Sequence, residues 1–324
     1  MSAMLDRPET AAATEKKASR LPQLRTYSLA LVLLLLCIAA SFASDAFLTR
    51  ANLLNVLTQA SVIGILTVGL TFVILTGGID LSVGSMLAAA SIYMGLQQES
   101  GGLVMVGAAL LGGVALGAVN GLAVTWGGVV PFIATLAMFS AARGLALLMS
   151  DATPIPITSE TVRTVGTERI LGIPMPVYLF AAVALVGWLV LNRTAFGRHV
   201  VAVGGNAEAA RASGIRVERV TFAVYVISGL CVGIGALIVT GRLGSASPVT
   251  GGGYELDAIA AAVIGGAALN GGKGTIGGSV IGVLLFAVIF NLFNLLDVNT
   301  NLQGVLKGLI ILAAVVLQRR TGRK

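Results

Sequence analysis

Charged residues, histidine, cysteine and tryptophan are all scarce in this 324-residue sequence. Only 11% of the residues are charged, against about 25% in a soluble domain. The single histidine, His199, and the two cysteines, Cys37 and Cys231, provide neither a Cys/His metal cluster nor a disulfide framework. An intramembrane enzyme would need paired acids or a Ser/His, Cys/His or Ser/Lys arrangement in the apolar segments, and the histidine lies outside them. These absences argue against a metalloenzyme with a Cys/His site and against an intramembrane enzyme.

Apolar residues, in contrast, make up 56% of the chain, and the mean hydropathy is +0.94. Forty-two glycines and long Ala, Val, Leu and Ile runs are typical of helices that pack through small residues. Barrel strands would instead alternate polar and apolar positions. The sequence therefore predicts an all-α integral membrane protein.

Ten apolar segments approach the roughly 20 residues that a helix needs to cross about 30 Å of hydrocarbon. They are residues 27–43, 53–76, 82–96, 102–125, 128–149, 175–192, 220–242, 255–270, 275–296 and 301–317. The first segment resembles a signal-peptide core, but it follows a 26-residue tail, and we interpret it as an uncleaved span. Segments 82–96 and 255–270 would rise only about 22 and 24 Å as helices, so both are predicted to be short or broken.

The distribution of basic residues favours a topology with both termini in the cytoplasm. This threading puts 15 of the 21 basic residues on the cytoplasmic side. They are Arg7, Lys16, Lys17, Arg20, Arg25, Arg193, Arg198, Arg211, Arg216, Arg219, Lys273, Arg319, Arg320, Arg323 and Lys324. The others are Arg50, Arg163, Arg169 and Arg242, outside or at an edge, and Arg143 and Lys307, within spans. We expect the last two to snorkel toward the membrane interface.

Three short motifs recur in the same order in the two halves of the chain. Gly77-Gly78-Ile79-Asp80-Leu81 matches Gly252-Gly253-Tyr254-Glu255-Leu256, Gly112-Gly113 with Gly117 matches Gly277-Gly278 with Gly282, and Arg143-Gly144-Leu145 matches Lys307-Gly308-Leu309. Dividing ten spans into halves of five makes the second half run the opposite way through the membrane. The sequence therefore predicts two inverted five-helix repeats, about 27–149 and 175–318, an architecture of many transporters.

The first repeated motif places an acid beside a break in each half. The candidate helix-break or gating residues are Gly77, Gly78, Asp80, Ser82, Gly252, Gly253 and Glu255. Asp80 or Ser82 can cap the short helix that follows, because the free N–H groups of a helix start need acceptors. A gating hinge is a second hypothesis. An ion site is a third, because an intramembrane carboxylate is costly unless it has a function.

The longest polar segment between spans, residues 193–219, has five arginines and two glutamates. It contains the helix-forming run AEAARAS, which Asn206 can cap and Gly214 can end. The loop is longer than a connection between spans requires, and such loops are usually functional. We interpret it as a docking element for a soluble partner. The alternative is a basic loop that satisfies the positive-inside rule or touches anionic lipid.

Four motifs together resemble those of a known family. In chain order they are LTGGIDLSVGSM, PFIATLAMFSAARGL, GRHVVAVGGNAEAARASGI and LKGLIILAAVVLQRR, and they resemble the permease subunits of bacterial ATP-driven sugar importers of the ribose, xylose, arabinose and galactose type. The resemblance covers about residues 50–318. It implies the permease of an ATP-binding-cassette importer, which pairs with a second permease, receives a monosaccharide from a periplasmic binding protein and depends on a cytoplasmic ATPase.

The resemblance also assigns residues to the contact with the ATPase. By position, the coupling loop comprises Arg198, Gly204, Gly205, Asn206, Glu208, Ala209, Ala210, Arg211 and Gly214. The chain itself is then not an enzyme and binds no cofactor, and ATP and Mg²⁺ are expected on the partner ATPase. The run ALNGGKGT imitates a phosphate-binding loop, but Ala267 and Gly274 occupy the positions that need Gly and Ser/Thr.

Polar side chains within the spans are candidates for a weakly polar lining of the passage. They are Asn120, Thr135, Asn291 and Asn294. The alternative for each is an interhelical hydrogen bond worth about 1 kcal/mol or less. The outer segment, residues 150–174, is interpreted either as a landing surface for the binding protein or as a passive loop.

Two other functions stay open at this point. One is a self-contained secondary transporter or facilitator that uses Asp80 and Glu255, and the other is an ATP-driven permease for a non-sugar solute. In domain terms, the sequence predicts a cytoplasmic N-terminal tail (1–26), a transmembrane permease domain (27–318) that includes the coupling loop 193–219, and a basic cytoplasmic tail (319–324). The expected location is the bacterial inner membrane.

Overall fold

The computed structural model describes residues 28–321 of the chain. The predicted N-terminal tail (1–26), and Arg323 and Lys324 of the predicted basic tail, lie outside the described residues.

This part of the chain is almost entirely helical. In chain order the helices are α1 Ser28–Ala43, α2 Arg50–Leu75, α3 Val83–Gly95, α4 Gly102–Thr125, α5 Pro131–Met149, α6 Glu160–Thr167, α7 Met175–Arg193, α8 Ala195–Gly205, α9 Ala207–Ala212, α10 Val217–Leu243, α11 Tyr254–Ile264, α12 Ile276–Leu295 and α13 Thr300–Thr321, with a 3-10 turn at Gln98–Ser100. Among the described helices, six are long and apolar enough to cross a membrane, namely α2, α4, α5, α7, α10 and α12. The prediction of an all-helical membrane protein is confirmed.

Helices α2 and α10 form the buried centre of the bundle. Every residue of α2 from Gly64 to Leu75 is buried. Helix α4 packs on α10 with backbone against backbone, because a Cβ atom on Gly113 would lie 2.3 Å from the Gly229 carbonyl oxygen. Small residues at such crossings let helices approach closely in a membrane, where there is no hydrophobic force to press them together.

The helices connect at two opposite ends of the bundle, which we name the Gly77 end and the Ser245 end. At the Gly77 end, the C-terminus of α2, the end of α8 and the loop 265–275 touch one another. At the Ser245 end there are two short antiparallel strand pairs. They are β1 Ile155–Pro156 with β4 Ser245–Ala246, and β2 Arg169–Ile170 with β3 Ile173–Pro174.

Helices α3 and α11 are shorter than a membrane span. They have 13 and 11 residues, which correspond to about 20 and 16 Å. Residues 76–82 turn inward from the Gly77 end before α3 begins, and residues 247–253 turn inward from the Ser245 end before α11 begins. The two helix starts meet inside the bundle, because a Cβ atom on Gly84 would lie 2.2 Å from the Gly251 carbonyl oxygen.

One of the expected segments is wrong in extent. Residues 255–270 are helical only as far as Ile264, because Gly265 packs its backbone against Gly278 and Gly266 has a left-handed φ of 101°. The bounds of the other nine segments agree with the sequence prediction to within four residues. Helices α6 and α8, which lie in the outer segment and in the coupling loop, have no counterpart in the sequence predictions.

Candidate functional site

The first helix break is built around Asp80, which is fully buried. Helix α2 ends at Leu75, and Gly77 adopts a left-handed φ of 82°, which favours glycine. The Asp80 carboxyl group then accepts two hydrogen bonds at Oδ1, from the Ser82 N–H over 2.9 Å and from the Ser82 hydroxyl over 2.5 Å. Ser82 is the N-cap residue of α3, but its side chain caps no N–H group of that helix. The expected cap is therefore replaced by a turn that Asp80 closes on Ser82.

Two of the candidate lining residues join this turn. Asn120 of α4 donates through Nδ2 to the Ser82 hydroxyl over 2.8 Å, and the Thr135 hydroxyl of α5 lies 2.9 Å from the Pro131 carbonyl oxygen of its own helix and 3.1 Å from the Ile79 carbonyl oxygen. Both side chains are at least 99% buried. The structure thus brings two lining candidates together with the helix-break candidates. The polar atoms of these side chains lie against the residues of the break.

The second carboxyl oxygen of Asp80 is one of three unsatisfied atoms in this cluster. Within the described residues, Asp80 Oδ2 and the hydroxyls of Tyr225 and Ser228 on α10 are buried without a hydrogen-bond partner. Asp80 interacts electrostatically with each of the two hydroxyl groups. Buried polar groups that lack partners are costly, so the cluster can gain hydrogen bonds when the surrounding helices shift.

The second break is built around Glu255, which is 7% exposed. Gly251 and Gly253 take left-handed φ values of 76° and 85°. The Gly253 N–H donates to Glu255 Oε1 over 3.2 Å, while Oε2 lies against Gly84 at the start of α3. Gly252, between the two left-handed glycines, is exposed. The paired acids of the repeat thus each accept one backbone N–H two residues away, but Asp80 precedes its helix whereas Glu255 lies in the first turn of α11.

Two cations within the helices also hold the second half together, and the sequence analysis missed their roles. The Arg143 guanidinium of α5 donates to the carbonyl oxygens of Pro248 and, over 3.1 Å, of Thr250. Lys307 of α13 forms an ion pair with Asp257 of α11 at 2.5 Å. Both cations thus have partners within the chain, and the expectation that they snorkel to the interface stays a prediction. The sequence signal for a role of both residues is their match in the internal repeat, where Arg143-Gly144-Leu145 corresponds to Lys307-Gly308-Leu309.

The coupling loop folds as predicted around Asn206 and adds one helix. Thr194 caps α8 through the Gly197 N–H over 3.2 Å, and the Asn206 side chain caps α9 by accepting from the Ala209 N–H over 3.0 Å. Gly214 follows α9 with a left-handed φ of 82°. The capping and ending of the AEAARAS helix are thereby confirmed.

Helix α9 stands out from the bundle with most of its surface free. Glu208, Ala209 and Arg211 are exposed, and Ala210, at 5% exposure, anchors the helix. Arg211 pairs with Glu218 at the start of α10 over 2.5 Å. Arg198 of α8 is exposed as well. A short, capped and exposed helix at a bundle end is suited to fit a groove on another protein.

The end of α8 crosses two other backbone segments without intervening side chains. A Cβ atom on Gly204 would lie 1.7 Å from the Leu75 carbonyl oxygen and 2.6 Å from the Gly272 nitrogen. The Gly272 N–H in turn donates to the Leu75 carbonyl oxygen over 2.9 Å. Gly205, the next residue, has nothing within 4 Å of its Cβ position. We call this contact the Gly204 crossing, and it joins α8 to the chain just before the first break and just after α11.

The loop 265–275 uses its backbone internally at this crossing. Besides the Gly272 bond to Leu75, the Ala268 N–H donates to the Lys273 carbonyl oxygen over 2.7 Å, and the Gly271 N–H donates to the Ala268 carbonyl oxygen over 2.9 Å. A phosphate-binding loop instead directs such N–H groups toward its ligand. The geometry agrees with the departures from that motif at Ala267 and Gly274.

The other two candidate lining residues bind neighbouring helices away from the Asp80 cluster. Asn291 of α12 and Asn52 of α2 exchange two side-chain hydrogen bonds, of 2.7 and 3.0 Å. Asn294 accepts from Gln303 of α13 over 3.0 Å. All four candidate residues thus make hydrogen bonds within the protein.

The comparisons with known proteins agree on one kind of protein. Residues 52–315 match the family described as branched-chain amino acid transport system / permease component. The chain is 44% identical over 298 residues to the ribose import permease protein of Bacillus subtilis, covering 89% of this chain and 91% of that protein. It is 40% identical over 290 residues to the D-allose transport system permease protein of Escherichia coli, with coverages of 88% and 89%.

A third relative, the L-arabinose transport system permease protein of Escherichia coli, is 37% identical over 251 residues, which is 75% of each chain. No solved structure gives a significant match. The family match and these relatives extend over most of the chain, and the family match includes both helix breaks and the coupling loop. This chain therefore belongs to the family of permease components of ATP-binding-cassette importers, and it is a multi-pass membrane transport subunit rather than an enzyme.

Proposed function

We propose that this chain forms the membrane passage for a monosaccharide in an importer with a separate cytoplasmic ATPase and a periplasmic binding protein. The relatives are named for ribose, D-allose and L-arabinose, which are all monosaccharides, and this supports the substrate class. ATP and Mg²⁺ are held by the partner ATPase. The observation that carries the proposal is the Gly204 crossing, which links the exposed coupling loop to both broken helices.

In this proposal, α9 sits in a groove of the ATPase and transmits its movement. A displacement of α8 moves the Leu75 carbonyl and the Gly272 amide directly, because the backbones touch without flexible side chains between them. Leu75 leads into the break at Asp80, and loop 265–275 follows α11. Small shifts at one site are amplified where packed elements have two discrete arrangements, and the unsatisfied polar groups around Asp80 favour such a rearrangement.

The proposed topology has ten spans in two inverted five-helix repeats. They are α1 to α5 in the first half, and α7, α10, α11, α12 and α13 in the second. The alternation of these helices between the Gly77 end and the Ser245 end supports this arrangement, as do the inward turns before α3 and α11 from opposite ends. The Gly77 end and both termini are then cytoplasmic, and the Ser245 end faces the periplasm.

The glycine motif of the internal repeat supports the inverted five-helix arrangement only in part. Gly113 and Gly117 of α4 pack against the backbone of α10, whereas their counterparts Gly278 and Gly282 of α12 pack against α11. The positions correspond, but their partners do not. Pairing with a second permease chain, identical or homologous, is part of the proposal and rests on the resemblance to the sugar permeases.

Reconstitution into proteoliposomes tests the proposed function. The chain is purified alone and together with its partner ATPase and binding protein, and uptake of labelled ribose, allose and arabinose is measured with MgATP. We expect uptake of a monosaccharide only when all three components and MgATP are present. Omission of each component in turn is the control.

Two results would contradict the proposal in different ways. Uptake by this chain alone under an ion gradient would identify a secondary transporter. Uptake of a non-sugar solute, and of no monosaccharide, by the complete system would keep the ATP-driven permease and reject the substrate class.

A further inference from the structure

The first turn of α11 gathers charged side chains from three helices. It carries Glu255 and Asp257 itself, Arg143 of α5 donates to the loop just before it, and Lys307 of α13 pairs with Asp257. The two acids have different surroundings, because Glu255 Oε2 lies against Gly84 of α3 whereas Asp257 faces α13. The Asp257–Lys307 pair is therefore separate from the contact between the two helix breaks.

This ion pair is open on one side. The Lys307 and Asp257 side chains are 28% and 18% exposed, and Leu256 between the two acids is 49% exposed. Farther along α11, residues 260–263 are all buried. On α13, Gly308 follows Lys307 directly and has nothing within 4 Å of its Cβ position. The accessible surface of α11 is thus confined to its first turn, beside a small residue of α13.

The accessible side of the pair lies at the depth of the spans in the proposed topology. Residues 247–253 turn inward before α11 begins, and Lys307 lies seven residues, or about 10 Å, from the start of α13. The single methylene group of Asp257 is too short to carry its carboxylate to the membrane interface, as the long stems of lysine and arginine can. Ionisable side chains at such a depth face the bundle interior or a water-filled cavity. The open side of the pair therefore faces water rather than lipid.

The pair presents both kinds of hydrogen-bonding group to this space. Asp257 Oδ1 is buried and lies 2.5 Å from Lys307 Nζ, which leaves Oδ2 as the acceptor for another molecule. The Lys307 ammonium has three donors, and it is held 5.5 Å from the centre of the Phe290 ring. Tyr254, the first residue of α11, is half-buried and interacts electrostatically with Asp257. An acceptor, an ammonium donor and a phenol thus lie close together.

We propose that Asp257, Lys307 and Tyr254 form a transit site that hydrogen-bonds the hydroxyl groups of the monosaccharide during its passage. This inference rests on the proposed function. A sugar hydroxyl both donates and accepts, so a carboxylate beside an ammonium group and a phenol matches it, and bonds to charged groups are the stronger ones. A sugar that left water without such partners would lose hydrogen bonds at a large cost in free energy. The site replaces part of that hydration and lowers the barrier to passage.

The test uses the complete importer in proteoliposomes. The substrate is the sugar, among ribose, allose and arabinose, that the wild-type system takes up, together with deoxy analogues that each lack one hydroxyl group. Uptake per ATP is measured at saturating sugar, where the binding protein is loaded. The variants are Lys307→Met combined with Asp257→Asn, Tyr254→Phe and Tyr178→Phe. Tyr178→Phe is the matched control, because it removes the same hydroxyl group from α7 at the Ser245 end, where that hydroxyl bonds the Ile170 carbonyl oxygen.

We expect at least one deoxy analogue to pass the wild-type importer about three- to tenfold more slowly than the sugar, because it lacks a hydroxyl group that bonds the site. The double variant should reduce this difference to about twofold or less, since the bonds that distinguish the two molecules are lost or weakened. Tyr254→Phe should reduce the difference in part, and Tyr178→Phe should keep the wild-type pattern. Thermal unfolding of each variant shows whether it is folded.

Three results would overturn the transit site. One is a wild-type pattern of analogue uptake in both the double variant and Tyr254→Phe. Another is equal slowing of the sugar and all its analogues, which would assign the pair a structural role alone. If the double variant does not fold, the comparison of Tyr254→Phe with Tyr178→Phe decides, and equal patterns in these two would reject the site. A complete wild-type system that takes up none of the three sugars would instead contradict the proposed function, and the site with it.

Discussion

Replacing Gly204 by alanine should break the link between the coupling loop and the helix breaks. The added Cβ atom would lie 1.7 Å from the Leu75 carbonyl oxygen, about half of an ordinary van der Waals separation, and the atom it meets belongs to backbone. Neither α8 nor α2 can relieve the clash by a side-chain rotation, so one segment must move. Overpacking of this kind costs about 1 to 3 kcal/mol.

Gly205→Ala is the matched control for this substitution. It adds the same methyl group one residue later in the same helix, where nothing lies within 4 Å of the Cβ position. Since alanine is the better helix former by about 0.5 to 1 kcal/mol, the control should be neutral or slightly stabilising. The two variants differ only in whether the methyl group meets the Gly204 crossing.

Two measurements on the reconstituted importer check the prediction. Thermal unfolding of Gly204→Ala should shift downward by about 2 to 6 °C, from about 2 °C per kcal/mol for a chain of this size. The number of sugar molecules transported per ATP should fall, while Gly205→Ala matches wild type in both. A Gly204→Ala protein as stable and as tightly coupled as Gly205→Ala would refute the reasoning from the crossing.

Three other substitutions test the remaining contacts. Lys307→Met should destabilise the fold by about 1 to 3 kcal/mol, because it leaves the half-buried Asp257 carboxylate without its partner, and Lys307→Met with Asp257→Asn should recover most of the loss in a thermal unfolding series. An additive double variant would show that the ion pair contributes nothing. Asp80→Asn keeps the oxygen that accepts from Ser82 and adds an N–H donor toward the unsatisfied hydroxyls of α10. Expression and most sugar uptake should therefore persist. Complete loss of uptake in a folded variant would restore the ion-site hypothesis. Asn206→Ala removes the cap of α9. Since a cap contributes about 1 kcal/mol, the substitution should weaken binding of the ATPase by up to about tenfold. Unchanged binding would show that the cap does not contribute to the contact with the ATPase.

Features encoded by neighbouring residues could be read from the sequence. Asn206 and Gly214 bound α9 through contacts within a few residues, and the apolar runs placed nine of the ten expected segments to within four residues. Helix α8 was missed because its cap, Thr194, follows directly on a predicted span and the run of glycines at its end weakens its helical pattern.

Features that depend on distant partners could not be read in this way. The end of α11 at Ile264 depends on the packing of Gly265 against Gly278. Arg143 and Lys307 have stems long enough to reach several partners, and only the folded chain shows that they bind backbone carbonyls and Asp257. Asn120 is a candidate for the lining by its position in a span, and its hydrogen-bond partner, Ser82, lies 38 residues away in the sequence. Polar residues in spans indicate that a partner exists without identifying it.

The meeting of Gly84 with Gly251 brings the N-termini of two helices together inside the bundle. Each helix start carries a partial positive charge of about half an elementary charge, because the peptide dipoles of a helix align along its axis. Two such ends facing each other would repel, and the carboxyl groups of Asp80 and Glu255 stand beside them as the nearest source of negative charge. Each break therefore holds a carboxyl group next to a positive helix start, and an approach or separation of α3 and α11 changes the balance at both starts.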